Sequence, residues 1–126
     1  MIELTYARTK ELLLEAVADK GEDFAYTSPE GDRGTCFYVH RTTMDDSQEL
    51  EPGCIVGHVL HKAGVPLEAM ASPLRNDAGA PALLEALYGD GVLGYEEGAD
   101  SLLTRVQIRQ DCGTPWGEAL RSALQE

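Results

Sequence analysis

The chain has 126 residues, 43% of them hydrophobic, with 22 acids against 10 bases and a formal charge of −12. This length supports a single domain with its own core, needing neither disulfides nor a metal to fold, and its longest apolar runs are too short to cross a membrane. The acidic excess disfavours direct nucleic-acid binding through the bulk field, and the dispersed Cys36, Cys54 and Cys112 read as reduced thiols rather than a secreted disulfide framework.

The opening "MIELTYARTKELLLEAVADKG" lacks the basic start and apolar middle of a secretory signal, so the expected location is cytoplasmic. It predicts a helix over Thr5 to Lys20, on Leu13, Ala16 and Val17, stopped by Gly21. Two short aromatic and β-branched runs follow, Phe24 to Thr27 and Thr35 to Arg41, parted by Pro29, Gly31 and Gly34 as in a hairpin. "TTMDDSQELEPG" is polar, acidic and closed by Pro52 and Gly53, which reads as a surface loop.

A helix is expected from Cys54 to Gly64, a short one in "VPLEAMAS", and another in "GAPALLEALYGDG" with Pro81 in its first turn and Gly89 at its end. Asp90 to Gly98 reads as a turn-rich connection, and "ADSLLTRVQIRQDCG" as the next helix. In the last, Thr114 is the expected N-cap and Pro115 the first helical residue, ahead of an apolar stripe opened by Trp116, which should be buried. The sum is an α+β fold: one mainly helical domain of five or six short helices over 1–126, one β-hairpin, and too few strands for a parallel sheet.

Chemistry concentrates in "GCIVGHVLHKAGV". At helical spacing Ile55, Val56, Val59, Leu60 and Ala63 form the core stripe, while Cys54, Gly57, His58 and His61 share the opposite side. Cys54, His58 and His61 at i, i+4 and i+7 could converge on zinc, with Cys36 or His40 completing the set, as in a metal-dependent hydrolase. Against this stand the absence of a second Cys/His pair or HExxH pattern, and of an acid in the helix to orient a ligand histidine. Core packing, with Cys54 and Gly57 giving close approach, is the preferred reading, and no cofactor is expected. The same stretch has a helix-turn-helix outline, but its second helix carries Glu68 and no base. Cys36 with His40 could pair as nucleophile and base, although no GxSxG, P-loop or GxGxxG pattern marks an enzyme.

The acids are unevenly placed. From Asn76 to Thr104 there is no Lys or Arg, while Asp77, Glu85, Asp90, Glu96, Glu97 and Asp100 are present. Such a face either simply faces solvent or docks on a basic partner protein, as an inhibitor or a mimic of the DNA phosphate line would.

The blocks "CFYVH", "CIVGHVLHKAGVPLE" and "VQIRQDCGTPWGEAL" resemble small uncharacterised proteins of actinobacteria and their phages, which share a strand with a Cys, a Cys-x-x-Gly-x-x-Leu helix and a Gln-Asp…Trp-Gly near the C-terminus. The resemblance brings no established activity and no site residues. It implies a cytoplasmic accessory protein, of phage or of host origin, that works by binding a host or partner protein.

Overall fold

The structure, a computed structural model, describes residues 1–26, 37–44 and 47–125. In chain order its elements are β1 (Ile2–Leu4), α1 (Tyr6–Lys20), β2 (Val39–Met44), β3 (Ser47–Pro52), α2 (Ile55–Ala63), α3 (Leu67–Met70), α4 (Ala80–Gly89), β4 (Leu93–Tyr95), α5 (Ala99–Asp111) and α6 (Trp116–Leu124). This is the mainly helical α+β arrangement expected, with two differences in its strands.

Thr5 caps α1, its hydroxyl accepting from the Arg8 N–H at 3.0 Å, and Gly21 at φ 96° ends the helix. The observed hairpin is β2 against β3, in register from Val39 opposite Pro52 to Met44 opposite Ser47. The segment expected as a loop therefore supplies the second strand. Between Arg41 and Glu49 only Met44 is apolar, so no alternation marks these strands, and the backbone ladder forms without it. Phe24 to Tyr26 form no strand, and Thr27 to Cys36, including most of the expected first turn, lie outside the described residues.

The second difference is a parallel pair. β1 runs beside β4 with Ile2 opposite Leu93 and Leu4 opposite Tyr95, inside the stretch expected as a plain connection. Three-residue strands are too short to show a period, and pairing across most of the chain leaves no local trace.

The core gathers around α5, which packs against α1, α2, α4 and α6 and fully buries Leu102, Leu103 and Val106. Trp116 is completely buried, as its position predicted. The α6 N-terminus is satisfied differently from expectation: Pro115 occupies the cap position and no side chain caps it. Instead the Trp116 N–H donates to the Phe24 carbonyl at 2.8 Å and the Gly117 N–H to that of Glu22 at 3.0 Å. The stretch after α1 thus supplies acceptors for donors that every helix start leaves open.

Glycine and amide side chains fix how α2 meets the hairpin. A Cβ on Gly57 would lie 2.2 Å from the Tyr38 carbonyl oxygen, so α2 rests directly on that backbone. Asn76 clamps the hairpin start from the other side, its amide accepting from the Val39 N–H at 2.9 Å and donating to the Val39 carbonyl at 3.0 Å. Gly57→Ala is accordingly expected to destabilise the protein by at least ~1–3 kcal/mol, the range for overpacking a rigid contact. A lowered urea midpoint with an unchanged slope would show it, whereas an unchanged midpoint would mean that α2 can step back without loss.

Candidate functional site

The structure distributes the Cys/His side of α2 among three environments. Cys54 is fully buried at the N-cap position, receives the Gln107 amide at 3.4 Å and is disulfide-bonded, which corrects the reading of all three cysteines as reduced thiols. Cys112 is free and exposed, and Cys36 lies outside the described residues. His58 is half-buried, its ring edge-on to Trp116 at 5.3 Å, while His61 is exposed beside the turn at Gly64 to Glu68. With its sulfur in a disulfide, Cys54 has no thiolate to offer a zinc ion, and the described residues contain no group of three His, Cys, Asp or Glu placed to hold one.

Other motif residues proved to be packing devices. Gln110 accepts from the Ile55 N–H at 2.8 Å through its side-chain oxygen, holding the start of α2, and Gly117 lets α6 approach Glu22 where a Cβ would sit 2.8 Å from that side chain. The helix-turn-helix outline ends in α3, a single turn of four residues whose Glu68 is exposed, too short to enter a DNA groove.

His40 on β2 meets Tyr26, its Nε2 lying 2.7 Å from the phenol oxygen, which also accepts from the Phe37 N–H at 3.2 Å. That leaves the Tyr26 O–H to donate to a neutral imidazole. Burial lowers the His40 pKa and pushes that of His58 down to about 4; Lys20 and Lys62 add to the fall at His58, and Asp19 opposes it.

The consequence for stability has a definite sign. His58 binds a proton near pH 6.5 when unfolded but only near 4 when folded, so between those values the unfolded state holds more protons. Its contribution is complete above about 6.5 and is lost as pH falls toward 4. His40 acts in the same direction and burial raises the pKa of Asp111, which opposes them; Asp19, whose hydrogen bond to Lys62 lowers its pKa, adds its own loss only below about 3.8. The thermal midpoint should therefore drop on acidification across this range, and His58→Asn should drop less steeply. Parallel curves for the two proteins would remove His58 as the cause.

The predicted acidic residues are brought partly together. Arg75 takes Asp90 in an ion pair at 2.6 Å, and Glu96 accepts from the Tyr6 N–H at 2.8 Å, anchoring the start of α1. Asp77, Glu85, Glu97 and Asp100 have no cationic partner among the described residues. Burial raises the pKa of the Tyr95 phenol, and the negative charges of Asp100 and Glu85 raise it further, so both carboxylates lie within electrostatic reach of this ring. The Tyr95 ring meets Tyr88 at 6.2 Å, and Tyr88 is 60% exposed.

One turn further along the same two helices, a groove of about 550 Å³ runs between the start of α4 and the last turns of α5, bordered by Asp77, Pro81, Thr104, Ile108 and Asp111. Ile108 is 56% exposed in its wall. The sequence reading missed Tyr88, Tyr95, Ile108 and Asp111. Glu85 and Tyr88 at i, i+3 on one polar helix face were the available signal.

No family model, curated protein or solved structure matches this chain.

Proposed function

We propose that the protein acts by binding another protein, whose contact surface is basic, through the outer face of α4, β4 and α5. The observation that carries this reading is the pairing of exposed Tyr88 with Tyr95 within electrostatic reach of Asp100 and Glu85, along the same helices as the Asp77–Asp111 groove. A solvated acidic surface needs no aromatic rings. Tyrosines ringed by charge supply desolvated anchoring area at low entropic cost, with the acids steering approach. The resemblance to small proteins of actinobacteria and their phages supports a host protein as the partner. An inhibitor that imitates DNA would work through this same face.

The test uses the charge variant Glu85→Gln, Glu97→Gln, Asp100→Asn beside Tyr88→Ala, leaving Glu96 untouched because it holds α1. Against the partner recovered from a host lysate, the charge variant should slow association about tenfold or more at low salt and lose its disadvantage as the Debye length shrinks from about 10 to about 3 Å. Tyr88→Ala should mainly speed dissociation. For a DNA mimic, excess duplex must also displace the protein. Binding that ignores both variants would move the interface elsewhere.

A further inference from the structure

Between the end of α1, the hairpin and α2 lies a second, separate cavity, a cleft of about 220 Å³ lined by Lys20, Phe24, Tyr26, His40, Glu51 and His58. We propose that this cleft binds a small zwitterion of the free amino-acid class, with its carboxylate toward Lys20 and His58, its ammonium toward Glu51, and an aliphatic side chain against the rings of Phe24 and Tyr26.

Size is the first argument, since the volume falls below the ~300 Å³ at which drug-sized pockets begin and suits a ligand of a few heavy atoms. Charge is the second. Lys20 and Glu51 line one cleft and both reach His40, in opposite senses, yet they form no ion pair with each other; the Lys20 ammonium sits 5.3 Å above the Phe24 ring instead. A simple anion entering here meets Glu51 and a simple cation meets Lys20. A ligand carrying both charges answers both.

The third argument is His58. Its Nε2 is buried in the wall with no hydrogen-bond partner, an arrangement that costs free energy unless something fills it. The imidazole is neutral at physiological pH, and because Nε2 is closed off from solvent, it can donate the ring's one proton to a carboxylate oxygen only when the ring turns toward the entering ligand. The cleft floor is kept low by Gly53, where a Cβ would stand 2.6 Å from His40 Nε2. His40 is already engaged by Tyr26 and acts as wall rather than donor.

The experiment follows the His40 and His58 ring signals by NMR during titration of the full chain with L-valine, isovalerate, which keeps only the anionic half, and isobutylamine, which keeps only the cationic half. L-Valine should saturate both signals and bind roughly tenfold or more tightly than either half. Lys20 and Glu51 are exposed, so Lys20→Gln and Glu51→Gln leave the core intact. Lys20→Gln should weaken L-valine and isovalerate but not isobutylamine, and Glu51→Gln should weaken L-valine and isobutylamine but not isovalerate. Isovalerate binding as well as L-valine would make this an anion site, isobutylamine binding as well would make it a cation site, and no ring shift through the millimolar range would leave no ligand site at all. Each of these results overturns the proposal.

Discussion

Trp116→Ala should cost ~3–5 kcal/mol, the range for truncating a fully buried Trp, and no other single truncation is expected to cost more. Trp116 is 0% exposed and joins three parts of the chain. Phe24 from the segment after α1 meets it edge-on at 4.7 Å, His58 on α2 at 5.3 Å, and its backbone N–H closes onto the Phe24 carbonyl. Removing the indole opens a cavity that these rigid neighbours cannot all fill, so the denaturant midpoint should fall steeply with the slope retained. Trp116→Phe should recover part of the loss. A near-neutral alanine variant would mean that the ring packs elsewhere in solution.

Reduction of the Cys54 disulfide is the second large effect. A native disulfide in a small domain contributes ~2–4 kcal/mol, and Cys54 is fully buried at the start of α2, so reductant should lower the thermal midpoint and Cys54→Ala should reproduce the shift. Thiol titration of the denatured, unreduced chain should count fewer than three cysteines and find Cys112 among them. A full count and a midpoint indifferent to reductant would restore the reduced-thiol reading. The outcome also bears on location, since a lasting disulfide fits an oxidising compartment better than the expected cytoplasm.

The helices were legible because their signals are local. Thr5 and Gly21 bracket α1, Gly64 at φ 108° closes α2, and Trp116, Ala119, Leu120 and Ala123 recur at helical spacing and are all buried. The hairpin was displaced because β2 and β3 carry Thr, Gln and Glu where a half-buried strand would alternate with apolar residues. For the candidate site, a run without bases was visible in the sequence, but its internal division was not. Nothing local tells that Arg75 neutralises Asp90 or that Glu96 serves the backbone of Tyr6, because both partners lie far along the chain. The Cys54, His58, His61 spacing was real on the helix and misleading in space. A helix face can hold three side chains in line while its neighbours claim each for a different purpose, here a disulfide, a ring contact with Trp116 and solvent.

The pairing of Ile2 with Leu93 has a further meaning for a chain made one residue at a time. β1 leaves the ribosome about ninety residues before its partner strand, roughly 5–20 s at ordinary synthesis rates. Throughout that interval Leu4, almost fully buried in the finished protein, has no strand beside it, and Tyr6 lacks the carboxylate that will receive its N–H. Closing so long a loop comes late on entropic grounds. The nascent protein therefore passes through a stage in which α1 and α2 can meet while its first strand stays open, and translation of Leu93 to Glu96, followed at once by α5 around which the core gathers, is what lets it shut.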